Sequence, residues 1–154
     1  MKPPDDRRRF SLMLDYEFGR GTSSALPREG LAYLHSRRSN RLKAVTHGEK
    51  VFAVIRPNGA IALSLHGAMT LAASRAFMQN SVTVTKDAEA FVREGKSVFC
   101  KFVARVGRHV PPGGEVVVLD EQGRPIAVGR AKLPGSHMRE FKAGVAVKVR
   151  SAHL

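Results

Sequence analysis

The chain has 154 residues, with 26 Lys or Arg against 13 Asp or Glu, a formal net charge of +13 when its six histidines are neutral. That length suits one large or two small domains, and 43% apolar with 25% charged residues is the composition of a folded protein rather than a disordered basic tail. Cations in such excess on folded surface point to a polyanion, because Lys and Arg that neutralise phosphates release condensed counterions.

Asp5 or Asp6 is placed to cap a helix whose apolar residues Phe10, Met13, Leu14 and Phe18 share one face, with Gly19 placed to end it. After a Gly- and Ser-rich loop, apolar runs at 31–36, 41–47, 50–56 and 60–65 are separated by Ser39-Asn40, Gly48 and Pro57-Asn58-Gly59 and predict a four-stranded antiparallel meander. Residues 66–79 predict one helix with Met69, Ala72, Ala73 and Ala76 on one side. From residue 81 the texture changes to short β segments at 82–85, 97–106, 115–119, 125–131 and 144–150, as in a small all-β domain. Asp87 is placed to cap a helix over 88–94 with Phe91 and Val92 inward and Gly95 as terminator, Ser136 caps a turn over 136–141, and residues 120–123 close a hairpin. The reading is an α+β chain of two domains, 1–80 and 81–154, carrying 13 basic and 6 acidic residues and 13 and 7 respectively. No Pro- or Gly-rich linker stands near residue 80, so the halves are expected to pack tightly. The fragment 80–154 is nonetheless expected to fold alone.

The run Gly113-Gly114-Glu115-Val116-Val117-Val118-Leu119-Asp120, then Gly123, then Ile126-Ala127-Val128-Gly129-Arg130-Ala131, and finally the strand from Gly144 to Arg150 resembles the PUA domain, a small RNA-binding β-barrel. Upstream, Asp15-Tyr16-Glu17-Phe18-Gly19-Arg20-Gly21 and Ser36-Arg37-Arg38-Ser39-Asn40-Arg41-Leu42 resemble the small α+β domain that precedes PUA in archaeal archaeosine tRNA-guanine transglycosylase. The resemblance implies an N-terminal antiparallel sheet with helices followed by a PUA-like β-barrel. It implies binding of structured RNA, above all tRNA, without catalysis and without a cofactor, since the length and the cysteines for the transglycosylase barrel and its zinc site are missing. A second reading is an accessory subunit that presents tRNA to a separate RNA-modifying enzyme, which should show an apolar surface patch on the first domain.

Alternation over 97–106 puts Val98, Cys100, Phe102, Ala104 and Val106 on one face and leaves Lys101 and Arg105 pointing together on the other; the last strand likewise sends Lys148 and Arg150 outward. By the resemblance, the PUA RNA face comprises Arg93, Gly95, Lys96, Lys101 and Arg150, with Gly95 letting backbone N–H groups approach a sugar-phosphate chain. By alternation alone these charges are as readily a solvated face. Arg37, Arg38, Arg41 and Lys43 crowd one hairpin of the first domain, either a solubilising turn or a second phosphate contact.

Other chemistry is thin. Gly95-Lys96-Ser97 lacks the leading glycine and the strand-then-helix order of a phosphate loop. Asp15 and Glu17 stand at i, i+2, on different faces of a helix, which disfavours an acid–base pair. His35, His47, His66, His109, His137 and His153 show no metal-ligand spacing, and Cys100, the single cysteine, reads as a buried structural thiol in a reducing compartment. No apolar run approaches the roughly 18 residues of a membrane span, and residues 1–9 start with charges and no apolar stretch behind them. No membrane partner is expected, and the expected location is the cytoplasm.

Overall fold

A computed structural model describes residues 5–152; residues 1–4 and 153–154 lie outside them, and His153 with them. Helix α1 (Asp6–Phe18) is capped by the Asp5 side chain, which accepts from the Arg8 N–H, and ends at Gly19, whose φ is +121°. It lays Phe10, Leu14 and Phe18 into the core, where Phe10 meets Phe52 and Phe18 meets Phe77 edge-to-face.

Strands β1 (Leu31–His35), β2 (Leu42–His47), β3 (Lys50–Ile55) and β4 (Ile61–Leu63) form the meander expected from the turn residues, antiparallel and in the order β1-β2-β3-β4. The single helix expected over 66–79 is instead two, α2 (Leu65–Leu71) and α3 (Arg75–Met78), because Ser64 and Ser74 each cap a fresh start. The buried face of α2 is Leu65, Gly67, Ala68 and Leu71, while Met69 is 44% exposed, so the expected face is the wrong one. Gly67 is what brings α2 onto β3: a Cβ there would stand 2.3 Å from the Phe52 carbonyl oxygen.

The second half is a nearly closed barrel built from β5 (Ser81–Val84), β6 (Val98–Phe99), β7 (Val103–Val106), β8 (Glu115–Leu119), β9 (Pro125–Ala131) and β10 (Val145–Ser151), in the order β6-β10-β9-β8-β5-β7. Strands β5 and β8 run parallel, and the other pairs are antiparallel. Helices α4 (Lys86–Arg93) and α5 (Gly135–Met138) interrupt it. Thr85 rather than Asp87 is the N-cap of α4, and Pro134 rather than Ser136 precedes α5. The strand expected over 97–106 is broken by a 3-10 turn, Cys100–Phe102, which shifts the phase so that Val98, Cys100 and Val103 are the buried residues. Lys101 and Arg105 therefore do not share a strand face.

The two halves share a core. Every residue of β8 is buried because the strand has two partners: Val116 and Val118 face the barrel interior, whereas Val117 and Leu119, with Val128 of β9, pack into the cluster of the first half around Phe18 and Phe77. The Asn80 amide donates to the carbonyls of Phe18 at 2.7 Å and Phe77 at 2.9 Å, tying the junction to α1 and α3. A barrel cut away at residue 80 would expose these apolar side chains, which runs against the expectation that it folds alone.

Candidate nucleic-acid interface

Helix α4 buries Ala88 and Val92 against the barrel and leaves Phe91 outside at 50% exposure, the reverse of the inward position expected for it. Gly95, at φ +94°, ends the helix in a Schellman motif: its N–H donates to the Val92 carbonyl at 2.9 Å, and the Lys96 N–H reaches the Phe91 carbonyl at 3.0 Å. That motif folds residue 96 back over residue 91, and the Lys96 ammonium lies 5.3 Å from the centre of the Phe91 ring. A Cβ on Gly95 would meet nothing within 4 Å, so the glycine is required by its backbone angle, and its surface stays open to an approaching chain.

Next along the chain, β6 turns Phe99 outward at 46% exposure, and the 3-10 turn swings Lys101 beside Phe102, its ammonium 5.0 Å from that ring centre. Phe91, Lys96, Ser97, Phe99, Lys101 and Phe102 thus surround a cleft of about 350 Å³, large enough for a small planar ligand. Its walls are aromatic and its two charges are ammonium groups. Lys96 has a carboxylate neighbour, Glu94, 3.6 Å away, with both side chains more than 60% exposed, a pairing of little energetic weight. Such a cleft stacks a flat ring on a phenyl face and attracts the phosphate attached to it.

The remaining sequence candidates are scattered. Arg93 lies on the other flank of α4, 3.5 Å from Asp120, a fully buried carboxylate that also takes the Arg124 guanidinium at 2.9 Å. Arg105 is exposed on β7 and does not line the cleft. Lys148 is exposed on β10, in a separate groove. Arg37 and Arg38 are exposed in the β1–β2 turn.

Two candidates have partners within the chain. One guanidinium nitrogen of Arg41 donates to the carbonyls of Leu42, Ile55 and Arg56 at 3.1–3.4 Å, which anchors the hairpin. Arg150, expected to point outward to RNA, turns to the first half: it pairs with Glu115 (Nη1 to Oε1, 2.6 Å; Nη2 to Oε2) and donates to the Leu63 carbonyl at 2.6 Å. Alternation places a side chain on a face but does not reveal a partner 35 residues away. The residues missed are Phe91, Phe99 and Phe102 in the cleft and Arg130 and Lys132 beside Lys148; for Phe99 the signal was its position opposite the apolar face of 97–106.

The acids and the thiol have structural partners. Asp15 accepts from the Ser23 N–H and hydroxyl at 2.8 and 3.0 Å, and Glu17 accepts from the Ile61 N–H at 2.9 Å. Burial pushes the Glu17 carboxyl and the Cys100 thiol up from their ordinary values. Among the described residues no cluster of three or more His, Cys, Asp or Glu is arranged to hold a metal ion, and no helix is long and apolar enough to cross a membrane.

Residues 80–153 match the PUA domain, and residues 8–77 match the patch-forming domain C2 of tRNA-guanine transglycosylase. Over 147 residues the chain is 31% identical to the tRNA-guanine(15) transglycosylase of Methanobrevibacter smithii and 35% identical to that of Methanocaldococcus jannaschii, covering 95% and 94% of this chain. It spans 22% of the length of either relative. Among solved structures, a hypothetical protein of Pyrococcus horikoshii superposes with a TM-score of 0.72 at 20% identity, covering 96% of this chain and 89% of that one. A conserved PUA domain protein of Thermoplasma acidophilum gives 0.68 at 21% identity, with 96% and 88% covered, and these two likenesses concern the fold. The chain therefore joins a transglycosylase-type C2 domain to a PUA domain, matching the PUA-containing region of the archaeal tRNA-guanine transglycosylases.

Proposed function

We propose that this protein binds structured RNA of the tRNA kind as a binding module rather than a catalyst, holding an unpaired nucleotide in the aromatic cleft between α4 and residues 97–102. The observation that carries this reading is the juxtaposition of Phe91 and Phe99, about half exposed, with Lys96, Lys101 and the open backbone at Gly95. Half-exposed phenyl rings gathered around one cleft offer faces for stacking, and stacking on a base contributes about 1–3 kcal/mol while tolerating any sequence. The PUA match supports RNA as the ligand, and relatives named tRNA-guanine(15) transglycosylase support tRNA. Fluorescence anisotropy with labelled tRNA across a salt series tests it: affinity should fall by about 10³-fold or more between 50 and 200 mM salt if six or so phosphates are contacted. A flat response rejects it.

A second reading, that the chain presents tRNA to a separately encoded transglycosylase body, is favoured by one feature of the first sheet. Its register aligns Leu34, Ala44, Val54 and Ala62 in one row across all four strands, on the face turned away from α1, with Leu34 and Val54 each 46% exposed. A neutral row on so basic a protein suits contact with another protein. Copurification of a catalytic transglycosylase subunit with the wild-type protein, and its loss with Val54→Lys, is the expected result.

A further inference from the structure

Strands β9 and β10 place Lys148 and Arg130 directly opposite one another, and Lys132, two residues along from Arg130, continues the same face by pairing its N–H with the Ala146 carbonyl at 2.7 Å. All three side chains are exposed, and none is in a salt bridge among the described residues. Like charges directly opposite across two strands destabilise a sheet. The acid that the register brings nearest is Glu115, opposite Arg130 on β8, and it is already taken by Arg150 and the Leu63 N–H. The cations line a groove of about 460 Å³ closed on one side by the Gly113 turn, whose carbonyl accepts from Arg130 Nε at 3.3 Å and so fixes the guanidinium. Arg150 lines the groove as well but is paired with Glu115, so three cations outside any salt bridge among the described residues remain with no available carboxylate, an arrangement built for an anion held by several charges at once.

We infer that Arg130, Lys132 and Lys148 form a phosphate track for an RNA strand, separate from the aromatic cleft. This inference rests on the RNA-binding reading above and extends it to a part of the barrel that does not touch a base. The sheet order supports one continuous path: β10 is hydrogen-bonded to β6, which carries Phe99, on one side and to β9, which carries Arg130, on the other. A strand whose base sits in the cleft runs across β10 to reach the groove, with neighbouring strands about 4.8 Å apart. An acidic polypeptide would satisfy the same charges, but would leave the path from the cleft without a purpose.

The test uses the full chain and labelled tRNA between 50 and 200 mM salt. The variant Arg130→Ser/Lys132→Ser/Lys148→Ser should bind about 10-fold or more weakly at 100 mM salt, with the log–log salt slope shallower by roughly 2, as expected for three lost phosphate contacts. Phe91→Ala/Phe99→Ala should lose affinity with the slope unchanged. Relief of the cross-strand repulsion should hold or raise the Tm of Lys148→Gln, by about 1–3 °C, while its slope becomes shallower by about 0.7–0.9. Wild-type slope and affinity in the triple variant overturn the track and leave the aromatic cleft standing, as does a triple variant that keeps tRNA but loses polyglutamate. A fall in Tm together with lost binding also overturns it, by giving the cations a folding role. Absence of tRNA binding by the wild type overturns both readings.

Discussion

Arg150 holds Glu115 through both carboxylate oxygens while donating to the Leu63 carbonyl, so one side chain joins the last strand of the barrel, β8 two strands away in the same sheet and the edge strand of the first sheet. The Leu63 N–H in turn donates to Glu115 at 2.6 Å. Glu115 is 7% exposed, and its burial pushes the carboxyl up against the lowering effect of Arg150. Removing the cation leaves a buried acid without its partner. Arg150→Met should lower stability by about 3 kcal/mol at neutral pH. With Arg150 gone the folded-state pKa of Glu115 rises further above its ordinary 4.5. A raised value gives a contribution that is complete below the unfolded pKa and lost as pH rises through the folded one, so the deficit should be smallest in acid and grow toward neutrality. Urea melts of both proteins at several pH values check this.

Asp120 titrates with the opposite sign. Its burial opposes the charge, but the Arg124 N–H, the Arg124 guanidinium and the Gln122 N–H together hold the carboxyl below its ordinary 3.8. A depressed value stabilises the fold above the unfolded pKa and is lost as pH falls through the folded one. Asp120→Asn should cost about 1.5–3 kcal/mol at pH 7, and the difference from wild type should close as the pH falls below 3.8. Thermal melts across that range read it directly.

The aromatic cleft separates binding from folding. Phe91→Ala/Phe99→Ala removes half-exposed rings, so the Tm should move by no more than a surface change allows, within about 0.5 kcal/mol per residue. Affinity for tRNA should fall by about 5- to 100-fold. Gly95→Ala forces a side chain into φ +94° and should cost about 1 kcal/mol through the backbone alone, as its space is open. Circular dichroism melts paired with anisotropy distinguish the two effects.

The barrel depends on its neighbour. Residues 81–154 expressed alone would bare Val117, Leu119 and Val128, each of which contributes about 1.5–3 kcal/mol by burial. The loss is of the order of a whole domain's stability. The fragment should show a broad or absent thermal transition and bind a hydrophobic dye, whereas the whole chain unfolds in one step.

Much of this was legible locally. Asp5, Gly19, Gly48, Pro57-Asn58-Gly59 and Gly123 punctuate the chain where helices and hairpins end, and the meander and the segments 115–119 and 125–131 follow from them. What escaped depends on distance. Cys100 keeps the apolar alternation only as far as the 3-10 turn that breaks the strand, after which burial moves to Val103, and alternation carries no signal of that change of period. Val117 and Leu119 read as strand, but nothing in the pattern says that their outer face meets Phe18 and Phe77. Arg150 and Arg41 read as free surface charge because their partners, Glu115 and the carbonyls at 55 and 56, come from other strands. Phe91 reads as core only if apolarity is equated with burial, and the ring is half exposed.

The place of β10 between β6 and β9 bears on how the molecule assembles. The hairpin of β8 and β9 and the first sheet form from near neighbours in the chain, whereas pairing Val145 with Phe99 closes a long loop and belongs to the slow end of folding. Lys148 and Arg150 ride on that strand, so the basic groove and the clasp to Leu63 come into being together with the closure itself. An anion seated in the groove is then a ligand of the closed barrel and of no earlier state, and by mass action it slows reopening in proportion to its occupancy.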